Sequence, residues 1–273
     1  MSRPDSRTAP STFLVVLATF TGNLFLVVGS LLFGVMAMLV SWVPPRGNWM
    51  FGIARLWSRC LLAASGVRVE VQYAAELQDQ ASYVFLSNHQ SLFDIPALLA
   101  SCPGQVRFMA KRSLFLIPIF GWAMAAGGFI PIDRNNRSTA RQSFAAAIAR
   151  LRHGVSVVLF PEGTRSLSDE LLPFQRGGFL LALKTGLPIV PVGIEGSRRV
   201  QHRGNWAIRP NRVVIRYGAP IRPADYGLRR KGELTAEVRR QVASLAGLEL
   251  PAQETAETAE KAKDCKDSRD SKD

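Results

Sequence analysis

The sequence predicts an α/β fold, with a largely parallel central sheet flanked by helices and an N-terminal membrane-associated helical region. Two patterns predict this arrangement. Beyond residue 66, short apolar runs bounded by turn residues alternate with helical stretches, and before it an apolar block at residues 13–43 carries no charged side chain. We therefore divide the chain into N-terminal membrane-anchoring helices (1–66), an α/β domain (67–250) and a charged tail expected to be disordered (251–273).

The N-terminal apolar block is long enough to cross a bilayer, which takes about 20 apolar residues. It is too long for a secretory signal peptide, and no A-x-A cleavage site closes it. The block could divide at Gly22-Asn23 and Gly29-Ser30, so one tilted spanning helix and a re-entrant pair of shorter helices both remain open. Residues 48–66 mix tryptophan with arginine, which is typical of a helix at the membrane interface or of one packed on the domain.

The sequence of residues 67–250 predicts six strands that alternate with three helices, which favours a parallel sheet. The predicted strands are residues 67–73, 83–87, 128–132, 155–160, 188–194 and 213–217, and the helices are about 95–101, 138–152 and 179–184. Ligands of open α/β sheets bind beyond the carboxyl ends of the strands. Polar clusters follow three of these strands, reading SNHQSLFD, DR and PEGTRS, so we expect a site at that edge.

Composition narrows the classes of partner. The chain has 34 Lys and Arg against 21 Asp and Glu, a net charge of +13, which favours anionic lipid headgroups, phosphorylated substrates or nucleic acid. Nucleic acid is not expected, because the sequence has neither a stacking motif nor a basic groove-entering helix. Three widely spaced cysteines and the lack of H-E-x-x-H or C-x-x-C motifs predict no metal site.

The first polar cluster carries a histidine and an aspartate, His89 and Asp94, five residues apart. An imidazole can remove a proton from a hydroxyl, and it works best when a carboxylate holds its other nitrogen. A regular helix would separate the two side chains, so a loop-to-helix junction is required. Ser91-x-x-Asp94 also matches a helix capping box, and the two interpretations are compatible. No G-x-S-x-G nucleophile motif occurs, so we expect a substrate to supply the hydroxyl.

The third cluster, PEGTRS, suits a phosphate group. A tight turn at Glu162, Gly163 and Thr164 exposes backbone N–H groups, and Arg165 adds a fork of donors. Glu162 is interpreted as orienting Arg165 or contacting the polar head of the substrate, although a common surface loop has the same pattern. Lys111 is a candidate for stabilising an oxyanion or neutralising a phosphate, or else is a solvated lysine.

These stretches, in this order and spacing, resemble the glycerolipid acyltransferases of phospholipid biosynthesis, above all the bacterial 1-acylglycerol-3-phosphate acyltransferases. NHQSLFD resembles the family's H-x-x-x-x-D motif, and GFIPIDR, FPEGTRS and LPIVPVGI are similar to its other three motifs, although Pro131 stands where a bulky apolar residue is usual. The resemblance covers residues 67–220 and implies that His89 is the general base, Asp94 its partner, and Glu162 to Arg165 the substrate-binding turn.

The resemblance implies transfer of a fatty acyl group to the sn-2 hydroxyl of lysophosphatidic acid, giving phosphatidic acid. Acyl-CoA or acyl carrier protein is expected as co-substrate, with no metal or other cofactor, and anionic membrane as a partner. We expect the catalytic domain on the cytoplasmic face of the inner membrane. Two alternatives remain open: acylation of another acceptor, such as lyso-ornithine lipid, another lysophospholipid or glycerol 3-phosphate, and a non-catalytic module that binds anionic membranes.

Overall fold

The computed structural model describes residues 10–42, 46–78, 81–133, 137–151 and 155–250. The predicted disordered tail, 251–273, and Arg134 of the second polar cluster lie outside these described residues. Within these described residues, seven strands form one sheet. They are β1 (Arg68–Tyr73), β2 (Val84–Ser87), β3 (Val106–Lys111), β4 (Ile130–Ile132), β5 (Ser156–Leu159), β6 (Ile189–Glu195) and β7 (Arg212–Tyr217).

Helices precede the sheet and flank it. They are α1 (Thr12–Leu24), α2 (Ser30–Val40), α3 (Arg46–Ala64), α4 (Asp94–Ser101), α5 (Phe120–Ala126), α6 (Arg137–Leu151), α7 (Gly177–Thr185), α8 (Ser197–Val200) and α9 (Lys231–Ala246). The six predicted strands and three predicted helices are all present. Strand β3 and helices α5, α8 and α9 are additions that the sequence patterns did not reveal.

The sheet has the order β1-β7-β6-β2-β5-β3-β4. Strands β6, β2, β5, β3 and β4 run parallel to one another, whereas β7 is antiparallel to β6 and parallel to β1. The expected largely parallel α/β sheet is therefore confirmed. Because β2 lies between β6 and β5, the loops that follow these three strands meet at one edge of the sheet.

Strand β2 is buried on both faces, as expected for the centre of a parallel sheet. Its four residues are all buried, and side chains alternate between the faces of a strand. Phe85 therefore joins the apolar core that contains α4, whereas Val84 and Leu86 join the core that contains α7 and α9. This two-sided burial fixes the position of the loop that follows Ser87.

The N-terminal apolar block forms one continuous helix from Thr12 to Val40, 29 residues long and apolar enough to cross a membrane. Neither predicted break divides it, although the segment Phe25–Gly29 has π-helical hydrogen bonding. Its buried positions are all small residues, namely Ala18, Gly22, Gly29, Gly34 and Ala37. Its outward side chains are large and apolar, including Phe13, Phe20, Val27 and Leu39. This exposed apolar face indicates membrane association.

Both halves of this helix contact the rest of the protein. In α1, Thr19 Oγ1 accepts a hydrogen bond from the Ile208 N–H at 2.9 Å, and Asn23 Nδ2 donates to the carbonyl of Trp206 at 3.1 Å. In α2, Gly34 lies so close to Ile119 that an added Cβ would be 2.7 Å from its Cγ2. The helix therefore lies alongside the domain and does not project away from it.

Helix α3 packs on the domain, as one of the two interpretations of residues 48–66 predicted, and it also exposes apolar side chains. Arg55 Nε donates to the carbonyl of Leu99 at 3.3 Å, which ties α3 to α4. Trp49 and Leu56, on the same helix, expose about half of their surface, at 55% and 50%. One side of α3 therefore packs on the domain and another presents apolar surface beside the long helix. The predicted domain boundary at residue 66 falls between α3 and β1.

Candidate active site

The site begins where β2 ends, and the side chain of Asn88 anchors this point to β6. Its Nδ2 donates to the carbonyl of Ile194 at 2.9 Å, and its Oδ1 accepts from the N–H of the same residue at 2.8 Å. Both groups are buried, so a paired backbone donor and acceptor are satisfied together. This two-point contact fixes the backbone immediately before His89.

The structure brings His89 and Asp94 together. His89 Nδ1 lies 2.8 Å from Asp94 Oδ2, and the aspartate is completely buried while 13% of the histidine side chain is exposed. The imidazole stacks on Phe160, which follows β5, with ring centroids 4.0 Å apart and an interplanar angle of 16°. His89 Nε2 forms no hydrogen bond with any described residue, so this nitrogen is available to a substrate.

Asp94 holds the loop as well as the imidazole. Besides the imidazole, its Oδ2 accepts the backbone N–H groups of Gln90 and Ser91, at 2.8 and 2.9 Å. The acceptance from Ser91 is one half of the predicted capping box. The other half is absent, because Ser91 Oγ instead accepts from the Phe93 N–H at 3.3 Å and donates to the Gln201 carbonyl at 3.0 Å. Asp94, the first residue of α4, therefore fixes both the turn and the histidine.

The position of Glu162 does not match one of its predicted roles, the orientation of Arg165. It does not orient Arg165: Oε1 accepts the backbone N–H of His89 at 2.6 Å, and Oε2 accepts that of Leu172 at 3.0 Å. The side chain is buried, and its carboxylate accepts these two backbone N–H groups in place of a guanidinium. Burial raises the pKa of Glu162 to about 7, against the opposing effect of these two hydrogen bonds.

The turn after β5 carries Gly163, Thr164 and Arg165 as a compact unit. Gly163 has a φ of +74°, which a residue with a side chain rarely adopts. The Ser166 N–H donates to the His89 carbonyl at 2.8 Å, which joins this turn to the histidine loop. Within the described part of the chain, the N–H groups of Thr164 and Arg165 and the Arg165 guanidinium have no partner. These donors are free to bind an anion.

The segment that follows this turn is held by the C-terminal helix. Arg239 of α9 donates from Nη2 to the carbonyl of Leu171 at 2.7 Å. Just beyond α9, the Glu249 carbonyl accepts the Leu171 N–H at 3.1 Å, and the Glu249 N–H donates to the Asp169 carbonyl at 3.3 Å. Residues 169–172 are therefore bonded on one side to Glu162 and on the other to the end of the described chain.

Lys111 lies apart from the histidine. It ends β3, its side chain is exposed, and β5 separates β3 from β2 in the sheet. It shares the carboxyl edge with the other site residues but has no hydrogen bond or ion pair with them. Among the residues that the structure describes, no three His, Cys, Asp or Glu side chains gather as a metal site.

Three residues of this region were missed by sequence reasoning. Asn88 and Phe160 stand inside the quoted motifs, but their partners are distant in sequence or defined by ring geometry. Arg203 stands in a loop without any motif, yet its Nη1 donates to the Arg165 carbonyl at 3.0 Å. No local signal in the sequence indicates that contact, because 38 residues separate the two arginines.

Fold and site together define an α/β protein with a paired histidine and aspartate at the carboxyl edge of a parallel sheet. A family model described as Acyltransferase matches residues 68–195. The chain is 30% identical over 175 residues to the 1-acyl-sn-glycerol-3-phosphate acyltransferase of Salmonella typhimurium, an alignment that covers 64% of this chain and 71% of that protein. The chain belongs to the acyltransferase family, as its motifs predicted.

Other relatives agree with this assignment. The chloroplastic 1-acyl-sn-glycerol-3-phosphate acyltransferase BAT2 of Brassica napus is 34% identical over 167 residues, which is 60% of this chain and 48% of the plant protein. The chain thus spans about half the length of that relative. The crystal structure of the 1-acyl-sn-glycerophosphate acyltransferase PlsC from Thermotoga maritima matches with a TM-score of 0.73 at 24% identity, over 85% of this chain and 96% of that one. This likeness confirms the fold.

Proposed function

We propose that the protein transfers a fatty acyl group from a thioester carrier, acyl-CoA or acyl carrier protein, to the sn-2 hydroxyl of 1-acylglycerol 3-phosphate. The products are phosphatidic acid and the free thiol of the carrier. The observation that carries the proposal is the His89–Asp94 pair. Asp94 holds Nδ1 of the imidazole, and His89 Nε2 has no hydrogen-bond partner among the described residues. The names of the relatives from Salmonella typhimurium and Brassica napus support this choice of acceptor.

In the proposed reaction, His89 Nε2 removes the proton of the sn-2 hydroxyl as its oxygen attacks the thioester carbonyl. The new C–O bond gives a tetrahedral intermediate, and the C–S bond breaks when that intermediate collapses. The imidazolium then returns the proton to the leaving thiolate. Asp94, 2.8 Å from Nδ1, stabilises the imidazolium while it exists. This direct transfer requires no metal or other cofactor.

The remaining site residues have distinct parts in this proposal. The free N–H groups of Thr164 and Arg165 are suited to the oxyanion of the intermediate, because backbone donors at a fixed turn need no reorganisation. The Arg165 guanidinium is suited to the phosphate of the acceptor. Glu162, which follows the neighbouring parallel strand β5, holds the backbone of His89. Lys111, exposed on the same sheet edge, is proposed to neutralise a phosphate and not to contact the reacting carbonyl.

The acceptor and the protein meet at the membrane in this proposal. The apolar outer face of the long helix, with Trp49 and Leu56 of α3, would enter lipid, while the net charge of +13 favours anionic headgroups. We propose that the catalytic domain lies on the cytoplasmic face of the inner membrane, where acyl-CoA and acyl carrier protein are available. A lysolipid would then reach the site without leaving the interface.

The test is an acyl-transfer assay with purified protein in mixed micelles. Labelled acyl-CoA and acyl carrier protein would be offered with lysophosphatidic acid, glycerol 3-phosphate, lyso-ornithine lipid and other lysophospholipids. We expect lysophosphatidic acid to be the preferred acceptor. His89→Ala should lose turnover while folding and vesicle binding are retained, and His202→Ala, at an exposed histidine, should keep it. Normal turnover by His89→Ala would refute the mechanism, and membrane binding without any transfer would indicate a non-catalytic module.

A further inference from the structure

Two arginines from separate loops lie together at the site without a counter-ion. Arg203 Nη1 donates to the Arg165 carbonyl at 3.0 Å, which is the bond that the structure shows for its guanidinium. Within the described residues, neither Arg165 nor Arg203 forms an ion pair with a carboxylate. Arg198, nearby in the chain, is by contrast paired with Asp169 at 2.7 Å. Arg165 and Arg203 are therefore two uncompensated positive charges at this edge of the site.

The loop that carries Arg203 is fixed at both ends. At its start, the buried Ser91 Oγ donates to the Gln201 carbonyl at 3.0 Å, which joins the loop to the histidine turn. At its other end, the Ile208 N–H is bonded to Thr19 in the long apolar helix at 2.9 Å. Arg203 therefore lies on a loop segment between two fixed points, one bonded to the histidine turn and the other bonded to the long apolar helix.

The electrostatics of this pair favour an anion. Partial burial and then the positive charge of Arg203 lower the pKa of Arg165, while the buried carboxylate of Asp94 raises it. The positive charges of the two arginines repel each other, and a phosphate that accepts from both would offset that repulsion. Guanidinium forks match phosphate geometry, so two of them suit a phosphate that carries two negative charges.

We propose that Arg203 binds the phosphate of the lysolipid acceptor together with Arg165 and so selects phosphate monoesters over diesters. The inference rests on the proposed function, since it deepens the recognition of the same acceptor. A phosphate monoester carries close to two charges at neutral pH, whereas the diester of a lysophospholipid with a larger headgroup carries one. Removing Arg203 should therefore weaken binding of the monoester more than binding of a diester.

The experiment compares Arg203→Ala, Arg203→Lys and the control Arg199→Ala, which removes a positive charge from an exposed residue four positions earlier. Steady-state kinetics would use lysophosphatidic acid and lysophosphatidylglycerol in mixed micelles, with acyl-CoA as donor. For Arg203→Ala we expect KM for lysophosphatidic acid to rise about tenfold or more at an unchanged kcat, because a charge-assisted bond is lost. KM for the diester should change by less than about threefold. Arg203→Lys should be intermediate and Arg199→Ala normal.

Other kinetic results would overturn the role of Arg203 or the proposed function. An unchanged KM for lysophosphatidic acid in both Arg203 variants would overturn the inference alone, provided that the wild-type protein acylates that acceptor. A higher KM for acyl-CoA instead would assign Arg203 to the donor and also overturn it. Equal losses with both acceptors, matched by Arg199→Ala and by weaker binding to phosphatidylglycerol vesicles, would assign the effect to general membrane attraction. If the wild type itself does not acylate lysophosphatidic acid, the proposed function fails.

Discussion

Asp94→Asn removes the negative charge of the carboxylate and keeps nearly the same side-chain shape. Three donors converge on Oδ2: the imidazole Nδ1 and the N–H groups of Gln90 and Ser91. An asparagine with its oxygen in this place can accept from all three. Its amide nitrogen then takes the place of Oδ1, which is buried and has no hydrogen-bond partner among the described residues. The substitution therefore keeps the geometry of the loop but removes the negative charge beside His89.

The expected losses follow from these contacts. A hydrogen bond to a charged acceptor contributes about 1 kcal/mol more than one to a neutral acceptor, so weakening three of them lowers the free energy of unfolding by about 3 kcal/mol. The buried amide nitrogen, which has no acceptor at the Oδ1 position among the described residues, lowers it by about 1–3 kcal/mol more. The rate should fall more sharply. Without the carboxylate, the imidazolium that forms during proton transfer loses its stabilisation, and kcat should fall by about 10²- to 10⁴-fold.

The assay is kcat at saturating lysophosphatidic acid, with chemical unfolding in detergent solution as the measure of stability. His89→Ala and the double variant complete a mutant cycle. Because Asp94 acts through His89, Asp94→Asn should cause no further loss of rate once His89 is absent. A folded Asp94→Asn protein with kcat within threefold of the wild type would refute the reasoning, as would additive losses in the double variant.

Two further predictions concern stability. The pKa of Glu162 is raised to about 7 from 4.5, so its contribution to the free energy of unfolding is fully present below pH 4.5 and is lost as pH rises through 7. Across that window, the stability of the wild type relative to Glu162→Gln should fall by about 3 kcal/mol. A difference in urea unfolding that does not change with pH would contradict this prediction. Gly193→Ala should destabilise the protein by about 1–3 kcal/mol, because the new Cβ would lie 2.3 Å from the backbone carbon of Leu245 in α9. Its control, Gly232→Ala, places a Cβ where no atom lies within 4 Å and should stabilise α9 by up to about 1 kcal/mol. Equal melting temperatures of the two variants would refute the packing argument.

The parts of the fold that could be predicted are those with an uninterrupted pattern. Strands β2, β5 and β6 are apolar runs bounded by turn residues, because both of their faces are buried. Strand β3 was missed because Arg107 interrupts its apolar run. That arginine is only 4% exposed, and its Nη1 donates to the carbonyl of Val106 at 2.9 Å. Local bonding of a buried charge has no signature in composition.

The site shows the same division. His89 and Asp94 are close in sequence, so their pairing needed only a loop-to-helix junction. Glu162 and Arg165 are also neighbours, yet Glu162 bonds to the backbone of His89, 73 positions away, which is a contact created by adjacent strands. Arg203 depends on a loop whose ends are fixed by Ser91 and Thr19. Such contacts follow from the tertiary arrangement, and a single sequence does not contain them as a spacing.

The bonds between Glu249 and residues 169–171 set an order of events during synthesis. The long apolar helix, Thr12–Val40, is synthesised before every strand of the sheet described above. The segment after the PEGTRS turn acquires its partners only after Arg239 and Glu249 have been added. A polypeptide ending before Arg239 would lack the hydrogen bonds that hold residues 169–171, and we therefore expect the segment bonded to Glu162 to be unsupported in it.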